Sequence, residues 1–228
     1  MYPLKLRGEG EYLKQREALL EAELALRDQM ERVAEMRRQL PDGGPVEDYV
    51  FREGNKDLNI NDPASFCDTR LSELFEVGKD HLILIHLMFH PEHDAPCVMC
   101  SMWADGYNAI APHVRQNANF VMVAKAEIGK FRAWAKGRGW DNIRLLSSHD
   151  TSFNTDFHVE DEAGDQMPGI TIFTRQPDGR IHHTYTGQAS LGDSIGRGID
   201  VMTPVWNLFD LLPQGRPDWF PGHDYMNN

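Results

Sequence analysis

The chain has 228 residues, 41% of them hydrophobic, and a formal net charge of -12 from 35 acidic and 23 basic residues. That length supports one core of ordinary size plus an extension, and the acidic balance, with no Lys/Arg run against it, disfavours nucleic acid as a partner. Three cysteines are too few, and odd in number, for a stapling disulfide framework, so the expected home is the reducing cytoplasm.

Residues 9–40 contain no glycine after Gly10 and no proline before Pro41, and strong helix formers dominate, which predicts one long helix. Its apolar stripe runs Leu19, Ala22, Leu26, Met30, Val33, Met36 and Leu40, at helical spacing. Glu23 with Arg27 and Asp28 with Arg32 are placed for i,i+4 ion pairs. Pro41-Asp42-Gly43-Gly44-Pro45 ends the helix. The expected organisation is therefore an N-terminal helical extension, 1–45, and one domain, 46–228. A stripe longer than one small domain covers predicts a homodimer.

Residues 51–67 are rich in Asn, Asp and Gly and read as irregular or a short hairpin. A short helix over 69–75 follows, then a near-continuously apolar strand over 81–89 of the kind covered on both faces of a sheet. Its apolar core, LILIHLMF, is far shorter than the ~20 residues of a membrane span. No membrane partner is expected, and the first residues, MYPLKLRGEGEYLKQ, lack a secretory signal's apolar stretch and cleavage site, which again makes the cytoplasm the expected location. A helix over 102–113, a strand over 119–124 and a helix over 128–136 come next. Residues 145–159 read as a loop with short helical pieces. Residues 170–174 and 180–186 read as a β-hairpin about Pro177-Asp178-Gly179. The tail carries a helical stretch over 204–212 and a Pro/Trp-rich end.

Between the first buried strand and its helix lies HPEHDAPCVMCSMW, residues 90–103. Two readings compete. In the first, Cys97 sits at a helix N-terminus, where unpaired N–H groups and the helix dipole stabilise a thiolate. Cys97 is then the nucleophile, and Cys100, one turn on, resolves the mixed disulfide. In the second, His90, His93, Cys97 and Cys100 supply the N and S donors of a zinc or copper site. Two ligand pairs so close in sequence, stiffened by Pro91 and Pro96, wrap a tetrahedron poorly. A thiol peroxidase is a further alternative, although no Pro-X-X-X-Thr-X-X-Cys pattern precedes Cys97. A non-catalytic interaction protein is the last class, and the intact cysteine pair counts against it.

Strand, Cys97-Val98-Met99-Cys100, helix, strand, helix, Pro168 before a strand and a closing hairpin resemble the thioredoxin fold in order and content. More closely, HLMFHPEHDAPCVMCSMWADGYN, LSSHDTSFNTDF, MPGITIF and HHTYTG, with DYVF at 48–51, resemble the thioredoxin-like family catalogued as domain of unknown function 899. The resemblance implies a central mixed sheet flanked by helices and a dithiol-disulfide oxidoreductase without organic cofactor. It implies a protein or small-molecule thiol or disulfide as substrate, an unidentified reductant, and a cis Pro168 that with Gly169 places backbone against substrate. Trp103 reads as packing under the helix or as a substrate platform.

The spacing from Cys100 to Pro168 exceeds a minimal thioredoxin and predicts an insertion around 147–166 that shapes a pocket or lid. Cys67 reads as a small buried hydrophobe and His86 as a hydrogen-bonded core histidine. Of His182 and His183 at most one faces a site, because neighbours on a strand alternate. His149, Asp150 and Asp156 are candidate acid/base groups near the dithiol.

Overall fold

A computed structural model describes residues 7–189, 204–214, 218 and 220–224. Its contacts divide at Pro41 into two units. The first contains α1, Gly10–Arg38, the helix expected over 9–40. Its ion pairs differ from those expected. Arg27 turns to Asp28 (2.5 Å) and Glu23 is taken by Arg16 (3.0 Å), while Arg32 bonds Gln29. Exposed side chains of this length choose among several neighbours of similar energy, so spacing alone does not select the partner.

The second unit contains β1 (Val50–Glu53), β2 (Cys67–Arg70), β3 (His81–Leu87), α2 (Val98–Val114), β4 (Asn119–Ala124), α3 (Ile128–Arg138), β5 (Arg144–Ser147), α4 (Phe153–Asp156), β6 (Gly169–Arg175), β7 (Ile181–Gln188) and α5 (Pro204–Phe209). The seven strands form one sheet in the order β2-β1-β5-β4-β3-β6-β7. Strands β3, β4 and β5 are parallel and the remaining pairings antiparallel. The Pro/Trp-rich end of the tail lies largely outside the described residues.

Alternation along the central strands makes two cores. Ile85, Leu87, Phe120, Met122 and Ala124 pack with Trp103, Tyr107, Phe131 and Trp140 of the α2 and α3 region. Leu82, Leu84, Val121 and Val123 pack with Phe51, Leu71, Leu74 and Phe153 on the opposite face. Every residue of β4 is buried, which explains why NFVMVA carries no polar-apolar alternation.

Two segments needed tertiary partners to take shape. Residues 54–66, polar and irregular, link the antiparallel pair β1 and β2. They are gathered by Arg132 of α3, only 2% exposed, which donates to the carbonyls of Asn55 (2.5 Å), Asp57 (2.9 Å) and Ile60 (2.9 Å). Strand β5 lies where the sequence reads as loop. Its four residues are too few to show a period, and pairing with both β4 and β1 makes it a strand.

Candidate active site

The parallel strands aim their carboxyl ends at one edge of the sheet, where open α/β sheets bind ligands. There β3 gives way to residues 88–97, a loop closed by Cys97 N–H donating to Met88 C=O (2.9 Å). A turn from His93 N–H to His90 C=O (3.2 Å) and a tether from Lys130 Nζ to Pro91 C=O (2.7 Å) fix its middle. Pro96 is buried. Cys97 is the cap residue of α2, with extended backbone angles (φ -54°, ψ 132°), and its carbonyl accepts from Ser101 N–H (2.9 Å) and Ser101 Oγ (3.0 Å).

Both cysteines are free thiols, Cys97 half-buried and Cys100 buried. The Cys100 side chain, hydrogen-bonded to Cys97, and the amides of Cys100 and Met99 together bring the Cys97 thiol from 9.0 to about 6, against the opposing effect of burial. Cys100 moves the other way, well above the ordinary range, through the same hydrogen bond, its burial and the charge on Cys97. The arrangement separates the pair into an outer thiolate and an inner thiol. Beneath them, Trp103 and Tyr107 follow Cys100 on one face of α2, both buried. Burial and the nearby Cys100 hold the Tyr107 hydroxyl at about 12.

Cys97 opens on a cavity of about 740 Å³. One wall is the loop carrying His90, His93 and Pro96; the other is Ala163, Gly164, Asp165 and Gln166. The second wall belongs to the segment expected as an insertion over 147–166, and it does shape this pocket. Trp103, Pro168 and Gly169 are absent from the lining. Trp103 is in the core, and Gly169 is buried between His86 of β3 and Gln188 of β7.

Several expectations are corrected. No peptide bond among the described residues is cis, so Met167–Pro168 is trans. The backbone on either side is held in local pairing, Met167 N–H donating to Val159 C=O (2.8 Å) and Pro168 C=O accepting from Ala189 N–H (3.3 Å). The four-ligand metal alternative is not assembled. Among the described residues no three His, Cys, Asp or Glu side chains are placed to hold an ion, since His90 and His93 share a turn while Cys100 points into the core.

Cys67 is exposed, because it starts the edge strand β2 opposite Glu53. His149 and Asp150 line a different cavity, of about 600 Å³, with Phe66 and Ile128. Asp156 accepts from Tyr49 Oη (2.9 Å) and Ser152 Oγ (2.7 Å). None of the three lines the Cys97 cavity.

His86 is the core histidine expected. Its Nε2 lies 2.8 Å from Thr171 Oγ1, and burial pushes its pKa down to about 3. His182 bonds Asp42 (2.7 Å) and His183 bonds Thr186 (2.9 Å), so both are committed elsewhere. Tyr107 was missed, although its spacing of seven from Cys100 marks it as lying under the dithiol.

The description "Bacterial protein of unknown function (DUF899)" matches residues 4–227. The chain belongs to this family. No curated protein is similar to this DUF899 chain in sequence. Among solved structures it is similar to the Plasmodium falciparum antioxidant protein, a 1-Cys peroxiredoxin, at 14% identity and TM-score 0.52, covering 72% of this chain and 97% of that one. The Plasmodium vivax 2-Cys peroxiredoxin, reduced, aligns at 15% identity and TM-score 0.49 over 71% and 91% of the two chains. Enterococcus faecalis AhpC aligns at 16% and 0.48 over 79% and 98%. The DUF899 chain thus has a thioredoxin-like α/β fold with a long N-terminal helix, and no helix among its described residues is long and apolar enough to cross a membrane.

Proposed function

We propose that the protein is a thiol-disulfide oxidoreductase with Cys97 as nucleophile and Cys100 as resolving thiol. The observation that carries this reading is the division of the pair: Cys97 caps α2 and lines a cavity, and Cys100, one turn in, is buried in the core beneath it. The Cys97 thiolate attacks one sulfur of a substrate disulfide, forming a mixed disulfide and expelling a thiolate. Cys100 then attacks Cys97 Sγ, its proton passing to the departing thiolate or to solvent, and the second substrate thiol leaves. The substrate disulfide gains two electrons and the cysteine pair loses them. A separate thiol reductant restores the dithiol.

The test is equilibration of the protein in glutathione redox buffers, followed by alkylation and mass analysis. An intramolecular Cys97–Cys100 disulfide, in equilibrium with the buffer, is expected. Two thiols that stay free until the most oxidising mixtures, or pair only between molecules, would reject the reading.

A second reading, a thiol peroxidase, is favoured by the low pKa of a half-buried Cys97 and joins naturally to the fold of the 1-Cys peroxiredoxin. Here the thiolate takes one oxygen of a hydroperoxide, giving a sulfenic acid and an alcohol or water, and Cys100 condenses with it to a disulfide and water. A second-order rate with hydrogen peroxide above the rate with small disulfides would favour it.

For the assembly we propose a cytoplasmic homodimer that uses α1. Taken by itself this helix buries none of its residues, and Leu19, Leu26, Met30 and Met36 are more than half exposed. Sedimentation at micromolar concentration is expected to give a dimer, reduced to a monomer when Leu26 and Met30 become lysine. A monomeric wild-type chain removes the proposal.

A further inference from the structure

The two walls of the Cys97 cavity bear on the kind of disulfide that enters it. Extended polypeptides dock beside a reactive group by adding backbone hydrogen bonds to a free edge. Along both walls backbone groups are already engaged. Met88 C=O is taken by Cys97 N–H and His90 C=O by His93 N–H on one side, Gly164 N–H by Asp161 C=O and Asp165 C=O by Asp161 N–H on the other. Pro91 C=O is held by Lys130.

The wall opposite the histidines is built as a fixed hairpin. Asp161 Oδ1 accepts from the amides of Ala163 and Asp165 (2.9 Å each), and Gly164 turns the tip with φ +87°. At its base, Val159 is 1% exposed. Glu160 pairs with Lys125 (3.5 Å), both side chains largely covered, while Lys125 also donates to Thr151 C=O (3.0 Å). Such a wall borders an open cleft whose volume, about 740 Å³, lies in the range of small-molecule sites, roughly 300–1,000 Å³. It also has a donor facing it. Glu92 N–H donates to His90 Nδ1 (3.2 Å), so the neutral ring carries its hydrogen on Nε2, on the side of Gly164.

We propose that the dithiol acts on low-molecular-weight disulfides bearing hydrogen-bond acceptors, and that the 159–167 hairpin excludes polypeptide disulfides. This rests on the oxidoreductase reading. The fully reduced protein is mixed with cystine or with insulin, and formation of the Cys97–Cys100 disulfide is followed. Cystine is expected to react about 100-fold faster, and Ala163→Trp, placed at an exposed position of the cavity wall, is expected to slow cystine by about 10- to 100-fold, since misplacing reacting atoms by about 1 Å can cost about 100-fold.

Insulin reacting as fast as cystine, or cystine indifferent to Ala163→Trp in a variant with unchanged circular dichroism, overturns the inference. The same protein is equilibrated in a glutathione redox buffer. A Cys97–Cys100 disulfide that forms there, together with either of those results, sinks the substrate class alone; its failure to form sinks the oxidoreductase reading and this inference with it.

Discussion

Replacing Cys97 by serine is expected to lower the rate of disulfide exchange by roughly three orders of magnitude or more, because a serine hydroxyl has no thiolate to offer and cannot form the mixed disulfide. Cys100→Ser is expected to fail differently. Its first step proceeds, since Cys97 still faces the cavity, but the mixed disulfide has no resolving sulfur and accumulates as a covalent adduct visible by mass. Cys67→Ser serves as the comparison: that thiol lies on the edge strand β2, outside the Cys97 cavity, and its loss is expected to leave the rate within a factor of about two, as for a surface change away from the site. Stable adducts formed equally by the Cys97 and Cys100 variants would mean that the two sulfurs are interchangeable, against the division seen in the structure.

The elements legible in the sequence are those whose signals are local. Strand β4 coincides with the apolar run NFVMVA, β3 with HLILIHL, and the β6–β7 hairpin with the Pro-Asp-Gly turn. The placement of the cysteine pair at the start of α2 was legible too, because a strand, a proline and two cysteines one turn apart lie within a dozen residues. What escaped depends on distant partners. Strand β5 needs β1 and β4, the 54–66 segment needs Arg132 from α3, and the second wall of the cavity needs Lys125 to hold Glu160. The misplacement of His149, Asp150 and Asp156 has the same origin. They follow β5 closely in sequence, but the sheet order sets β4 between β5 and the strand that leads to Cys97.

The pH response of the site should be as asymmetric as its geometry. Alkylation of Cys97 by iodoacetamide follows the thiolate, so its rate is expected to be half-maximal near pH 6, where a free thiol would need about 9. The largest cause of that shift is the hydrogen bond with Cys100. Cys100→Ala removes the donor and should move the midpoint upward, whereas Cys100→Ser retains a hydroxyl and should restore part of the shift.

Stability follows by linkage. Between pH 6 and 9 folded reduced protein binds fewer protons at Cys97 than the unfolded chain does, so this thiol's contribution is fully present above 9.0 and is lost as pH falls through about 6. Cys100, raised in the fold, opposes this only above the ordinary thiol range. The disulfide form has neither group to titrate. In urea unfolding, the reduced protein should therefore gain on the oxidised protein as pH climbs from 6 to 9. Since whatever stabilises the dithiol makes the disulfide more oxidising, the reduction potential should fall with pH less steeply there than for a pair with two ordinary thiols. A stability gap that stays constant over this range, or an alkylation midpoint unmoved in Cys100→Ala, would show that Cys100 does not set the state of Cys97.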